Sequence, residues 1–329
     1  MATAWKLTSR PNGMPTPGNF ELSEVALPAL EDGMVRVANR WLSVDPYMRG
    51  RMNDVKSYVP PFQIGEPLEG GAVAEVIESR DPAFAVGDMV MHMAGWRDEA
   101  VVPAKSLNKL PAMPGIEPKD FLGNLGLTGG TAYFGLLEAA KAKEGDIVFV
   151  SAAAGAVGSA VVQIAKAKGM TVIGSAGGAD KCEFVKSLGA DAVVDYKAGS
   201  LLKQLAAVAP KGIDVYFDNV GGDHLDAALA LARQNARFAI CGMIENYNAG
   251  EPTCLKYLMR VIAMRVRLQG FIYTDYLDRL GDFYRDMGGW IASGQLKGRD
   301  TVVEGLDQTL DAFLGLFTGK NTGKMLVKL

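Results

Sequence analysis

From residue 146 the chain alternates short apolar runs with short helical runs, and this alternation restricts the fold more than any other feature. DIVFVSA (146–152) reads as a strand and GSAVVQIAKAKG (158–169) as a helix stopped by Gly169. MTVIGSA (170–176) is a second strand, and ADKCEFVKSLG (179–189) a helix stopped by Gly189. DAVVDY (191–196), SLLKQLAAVA, GIDVYFDNV (212–220), HLDAALALA and RFAICGM (237–243) continue the series. Nearly continuous apolar strands need cover on both faces, so the series predicts a parallel sheet between helices. Right-handed crossovers make it doubly wound. LKYLMRVIAMRVRLQGFIY (255–273) then reads as a helix followed by a strand from about Val266, and 278–296 as another helix.

Upstream the texture is different. MVRVANRWL (34–42), GGAVAEVIES (70–79), DMVMHMAG (88–95) and EAVVPA (99–104) are β-prone runs punctuated by Gly and Pro, including Pro111 and Pro114. They predict a mostly-β domain, a partly open barrel. Residues 121–143 read as helical at both ends with a break at Gly129-Gly130. The last run, KMLVKL, is a short strand after the α/β series and is expected to return to the first domain. The expected organisation is a mostly-β domain over 1–120 with a return of about 300–329, and a doubly wound domain over 121–299.

Composition narrows the function. With 49% hydrophobic and 22% charged residues the chain is an ordinary globular protein, and a net charge of −3 gives no support for nucleic-acid binding. Three cysteines, Cys182, Cys241 and Cys254, are too few and too scattered for a disulfide framework, which fits a reducing compartment. MATAWKLTSRPNG lacks the apolar segment of a secretory signal, so a cytoplasmic location is expected. Ile147 to Ala165 carries no charge, but its apolar period changes midway, so a strand, a turn and a buried helix explain it better than a membrane span.

The turn after the first strand of the series is Ala152-Ala153-Ala154-Gly155-Ala156-Val157-Gly158. It has the form of a dinucleotide cradle. Gly155 admits close approach of a pyrophosphate, Gly158 lets the helix pack tightly, and the helix N-terminus offers N–H groups and a partial positive charge. The usual first glycine is an alanine here, Ala153.

Such a cradle ordinarily has an acid about 20 residues on, to hold the adenosine ribose. Here the region reads TVIGSAGGADK, with Ser175 at the acid's place, where its hydroxyl is expected to donate to a coenzyme phosphate, and Lys181 just beyond. Without the carboxylate a 2′-phosphate is no longer repelled, and a cation attracts it, so NADPH is favoured over NADH. Tyr196 and Lys197, after the third strand, are expected to approach the same spot. As a residue type, Lys181 also fits a solvated helix lysine.

The stretch LGLTGGTAYFGLLEAAKAKEGDIVFVSAAAGAVGSAVVQIAKAKG resembles the medium-chain dehydrogenase/reductase superfamily. SVDPYMRGRM (43–52), LGADAVVDYK (188–197), DVYFDNVGG (214–222), ICGMIENYN (240–248) and GKNTGKMLVKL (319–329) are similar to its zinc-independent branch of leukotriene B4 12-hydroxydehydrogenase/prostaglandin reductases, plant alkenal double-bond reductases and bacterial curcumin reductases. The resemblance implies a GroES-like catalytic domain, a Rossmann cofactor domain, NADPH and a homodimer. It places the pyrophosphate at Gly155, Ala156, Val157 and Gly158, and the 2′-phosphate at Lys181 and Tyr196. It sets Asn219, Cys241, Gly242, Tyr247, Phe271, Ile272, Tyr273 and Asn321 around the ribose and nicotinamide. Tyr47, Tyr247 and Tyr273 would face the substrate. Zinc-dependent members need a Cys where this chain has Val44-Asp45 and a Gly-His-Glu where it has Gly65-Glu66-Pro67, so no metal of that type is expected.

Without zinc, a nicotinamide hydride needs an electrophilic carbon, and the β-carbon of an alkene conjugated to a carbonyl is one. The enolate charge then calls for hydrogen-bond donors, with Tyr247 leading and the coenzyme ribose hydroxyl assisting. Judged by spacing alone, Tyr247 also fits a loop tyrosine that caps the backbone. The expected function is NADPH-dependent reduction of α,β-unsaturated ketones or aldehydes. A quinone reductase on the same scaffold and a non-catalytic NADPH-binding redox sensor are the alternatives. Asp45 and Arg49 are read as a structural ion pair, and His224, opening a helix, as a surface residue.

Overall fold

The alternating series and the strand expected after Val266 together form six parallel strands. They are β1 (Ile147–Val150), β2 (Thr171–Ala176), β3 (Ala192–Asp195), β4 (Ile213–Asp218), β5 (Ala232–Ile240) and β6 (Arg267–Gly270). Their spatial order is β3-β2-β1-β4-β5-β6, every neighbouring pair parallel. The order reverses between β1 and β4, and that crevice is where open α/β sheets bind ligands. The computed structural model describes residues 1–113, 115–249 and 253–329; Pro114 and residues 250–252 lie outside the described residues.

Seven α-helices accompany this sheet among the described residues of the unit: α1 (Leu127–Phe134), α2 (Ala156–Ala167), α3 (Ala179–Ser187), α4 (Leu201–Val208), α5 (Gly222–Ala230), α6 (Arg260–Ala263) and α7 (Leu280–Ala292). Helix α2 buries every residue from Gly158 to Ala165, which explains the long uncharged run without a membrane. It ends as expected at Gly169, whose φ is 77°. The Gly169 amide donates to the Lys166 carbonyl (3.1 Å) and the Met170 amide to that of Ala165 (3.0 Å), a Schellman closure. Phe149, Ile173, Val194, Tyr216, Leu225, Leu229 and Phe238 form the core beneath β1 to β5.

Two local expectations are corrected. Gly129 and Gly130 do not break the helix; they lie inside α1, which runs on through a π-helical turn at Gly135–Ala139. They are places of close approach. A methyl group built on Gly129 would sit 1.9 Å from the Asn124 carbonyl oxygen, and one on Gly130 would sit 2.2 Å from the Tyr273 ring. Residues 255–259 are not helical either. Helix α6 has only four residues, because Arg265 at φ 52° turns the chain into β6.

The chain divides into two compact units, Gly123–Arg299 and Met1–Leu122 with Asp300–Leu329. In the second of these, strand Met34–Ser43 is central. One edge pairs with Ala72–Ser79; the other pairs with Glu99–Pro103 along its first half and with Lys324–Lys328 at its end. Asp300–Glu304 adds in parallel to Lys324–Lys328. Leu7, Leu42, Met48, Met52, Trp96 and Phe313 fill the core beside this sheet. Asp45 pairs with Lys324 at 3.0 Å, not with Arg49, and the two side chains are 8% and 5% exposed. Arg49 instead donates to the Gly13 carbonyl (2.8 Å) and to Asn53 Oδ1 (2.8 Å).

Candidate coenzyme site

The turn from β1 into α2 is built on backbone contacts. Gly155 is the N-cap of α2, with an extended backbone (φ −82°, ψ 176°). Its amide donates to the Ala152 carbonyl (2.9 Å), and its carbonyl accepts from Ser159 (2.9 Å). Ala153 donates to the Ser175 carbonyl (2.8 Å), which ties the turn to β2. A methyl group on Gly158 would lie 2.3 Å from the Ala152 carbonyl oxygen. The left-handed residue is Ala152, at φ 47°, one place before the alanine that replaces the usual first glycine. Gly155, Ala156 and Val157 keep partial exposure at the helix start, where first-turn amides lack intrahelical partners.

Beyond β2 the expected phosphate-binding residues gather. Lys181 stands in the first turn of α3. Burial and the neighbouring Lys197 ammonium lower its pKa, so the two cations share one locality. A methyl group on Gly177 would meet the Tyr196 hydroxyl at 2.6 Å and Lys197 Cε at 3.0 Å. Tyr196, Lys197 and the Gly177-Gly178 turn therefore form one surface. Asp195 Oδ1 accepts from the amides of Gly178 (3.0 Å) and Lys197 (2.9 Å), and these bonds hold its carboxyl below the usual range. That carboxylate fixes the turn.

Ser175 is placed differently from its expected role. It has no exposure, and its hydroxyl lies 2.9 Å from His224 Nε2. His224 is only 5% exposed, so the surface position expected for it is corrected. The first turn of α5 packs inward, where the imidazole stacks on Phe149 and meets the edge of Tyr196. Burial drops its pKa to about 4. Nothing in its position at the head of a helix signals this, because the contact partners come from β1, β2 and the end of β3.

At the crevice between β1 and β4, Asn219 is locked by Ser151. Its amide nitrogen donates to Ser151 Oγ (2.9 Å) and its side-chain Nδ2 to the Ser151 carbonyl (2.8 Å). Asp218 was not singled out from the sequence, yet it organises the region. Its Oδ1 accepts from Tyr216 (2.7 Å), Val220 (3.0 Å) and Gly221 (2.8 Å), and its carbonyl accepts from Cys241 (2.9 Å) and Gly242 (3.0 Å). Burial raises its carboxyl pKa. Burial and the Asp218 charge push the Cys241 thiol up to about 12, so it stays protonated at neutral pH. A methyl group on Gly242 would lie 2.9 Å from the Tyr247 hydroxyl. Asn219, Cys241, Gly242 and Tyr247 thus share the ends of β4 and β5.

Phe271, Ile272 and Tyr273 follow β6. Phe271 is buried, edge-on to Phe217, and both rings crowd Gly135. The Ile272 amide donates to Asp275 (3.3 Å). Tyr273 lies on α1 at Gly130, and burial pushes its phenol up to about 12. Tyr47 and Asn321 belong to the other unit. Burial, then Asp45, raises the Tyr47 phenol, and Asn321 Nδ2 donates to the Gly323 carbonyl (2.9 Å). Among the described residues no group of three or more His, Cys, Asp or Glu side chains is placed to hold a metal ion, and no helix is long and apolar enough to cross a membrane.

Residues 3–110 match the family described as the N-terminal domain of oxidoreductase, and residues 156–291 match zinc-binding dehydrogenase. The chain is 43% identical to the NADPH-dependent curcumin reductase of Escherichia coli (strain K12), over 99% of this chain and 96% of that protein. It is 40% identical to prostaglandin reductase 1 of Sus scrofa, over 99% of each. The crystal structure of CurA in complex with NADPH from Vibrio vulnificus superposes with a TM-score of 0.94 at 44% identity, covering 99% of both chains. The chain belongs to the medium-chain dehydrogenase/reductase superfamily, in its curcumin reductase and prostaglandin reductase branch.

Proposed function

We propose that this protein is an NADPH-dependent reductase of the C=C bond of α,β-unsaturated ketones and aldehydes. One observation carries the reading furthest: the Tyr247 hydroxyl stands over Gly242 at the end of β5, beside the locked Asn219. The glycine turn fits a pyrophosphate, since Gly155, Ala156 and Val157 stay partly exposed at the start of α2, where first-turn amides lack intrahelical partners. The Lys181 and Lys197 pair fits a 2′-phosphate.

When bound, the nicotinamide supplies hydride to the β-carbon of a polarised alkene. The chain's own residues hold the reactants and meet charge. Tyr247 donates a hydrogen bond to the substrate carbonyl oxygen, where negative charge develops. Asn219, fixed by Ser151, orients the nicotinamide end, and Cys241 and Gly242 approach through their backbone. The α-carbon proton comes from the same network or from water. Tyr273 faces the substrate in this reading.

An NADPH-oxidation screen with enones, enals and quinones, with products identified, tests the proposal. A saturated ketone or aldehyde is expected. A hydroquinone as the main product would favour quinone reduction, and tight NADPH binding without turnover would favour a sensor. Tyr247→Phe is expected to lower kcat about 10-fold or more with little change in NADPH affinity, as loss of one oxyanion donor implies. An unchanged kcat removes Tyr247 from the chemistry. Lys181→Ala is expected to weaken NADPH far more than NADH in a fluorescence titration; equal weakening refutes the phosphate assignment.

The homodimer is part of the same proposal. Leu258, Met259 and Ile262 are exposed beside β6, an edge strand with one described partner, β5. Light scattering of the wild type and of Met259→Glu checks it, with a dimer expected to loosen in the variant.

A further inference from the structure

Three side chains meet at the end of β2: Ser175, His224 and Tyr196. The Ser175 hydroxyl and His224 Nε2 are 2.9 Å apart, both residues buried. The imidazole stacks on Phe149 at a ring separation of 6.5 Å and meets the Tyr196 ring edge-on at 5.3 Å. Tyr196 in turn covers Gly177, where a methyl group would come within 2.6 Å of its hydroxyl. Ser175 is the residue that stands where a ribose-binding carboxylate would be, and its side chain is turned away from the coenzyme side into the core.

We infer that His224 is a specificity-determining positioning residue for the adenosine end of the coenzyme: it engages the Ser175 hydroxyl and props Tyr196 against Gly177, so that the surface left for the ribose is the Gly177-Gly178 turn flanked by Lys181 and Lys197. The inference rests on the NADPH reading above. It assigns the coenzyme preference to more than a missing acid and an added lysine. An acid at 175 would meet His224 before it met a ribose. An acid at 177 would have to displace Tyr196. Both ordinary routes to NADH preference are therefore closed by packing.

Two variants test this, with dissociation constants for NADPH and NADH read by fluorescence titration and folding checked by circular dichroism. In Ser175→Asp the new carboxylate is expected to pair with His224. NADPH then stays preferred to within about threefold of the wild-type ratio, and the His224 imidazole, followed by NMR, titrates well above its value of about 4. A switch to NADH preference overturns the inference, because it would mean that position 175 reaches the ribose. In His224→Leu the NADPH/NADH preference is expected to fall at least tenfold, and His224→Phe, which keeps a ring against Tyr196, is expected to restore it to within about threefold. An unchanged ratio in a folded His224→Leu overturns the inference, since a merely structural loss would weaken both coenzymes alike. A wild-type chain that prefers NADH, or binds neither coenzyme, overturns the NADPH reading and this inference with it; wild-type NADPH preference with an unmoved ratio in the variants overturns this inference alone.

Discussion

A methyl group on Gly158 has nowhere to go: the Ala152 carbonyl oxygen is 2.3 Å away and Ala153 Cα 2.8 Å away. Gly158→Ala is therefore expected to cost about 1–3 kcal/mol in urea unfolding, the range for forced overpacking, and to weaken NADPH as the turn opens. Gly158 was legible in the sequence because its need is local, a helix packed on the turn before it. Asp218 and His224 were not legible. Asp218 gathers donors from Tyr216, Val220 and Gly221 only once β4 ends beside the 219–221 turn. His224 reads as a helix-opening residue that water would cover, and only the packing of α5 against β1 and β2 buries it.

Elements were easier to read than their edges. Strands β1, β2 and β4 stand out because burial on both faces leaves no polar alternation, whereas β6 is largely exposed; Lys324–Lys328 pairs with the end of Met34–Ser43. Helix α1 was misread at its centre, since paired glycines each disfavour a helix by about 1 kcal/mol relative to alanine. The close approach that requires them is tertiary and leaves no local mark. Propensity predicts that Gly129→Ala stabilises; the structure reverses the sign. Its methyl group would press on the Asn124 carbonyl at 1.9 Å, so a lower melting temperature is expected in calorimetry. A higher one would show that propensity governs this helix.

Across the whole molecule the two histidines set an acid limit. His92 is 2% exposed, its Nε2 donates to Asn39 Oδ1 (2.9 Å), and its Nδ1 accepts from the Ala94 amide (3.1 Å), so the neutral ring is fully used. Burial lowers His92 and His224 to about 4 each, against an ordinary 6.5. The unfolded chain thus binds these protons first. Stability from the two rings is complete above about pH 6.5 and is lost as pH falls toward 4, by up to about 3 kcal/mol each at 1.36 kcal/mol per unit. Urea midpoints at pH 7.5, 5.5 and 4.5 check this. A flat midpoint across that interval would mean that the two rings titrate alike in the folded and the unfolded chain. The division of the chain bears on its synthesis. Gly123–Arg299 is contiguous, whereas the other unit needs Lys324–Lys328 to close on Met34–Ser43. As the nascent chain leaves the ribosome, Asp45 emerges 279 residues ahead of the lysine that neutralises it. Met1–Leu122 thus cannot complete its sheet until Lys324–Lys328 has been made, and a chaperone that shields it would act during that wait.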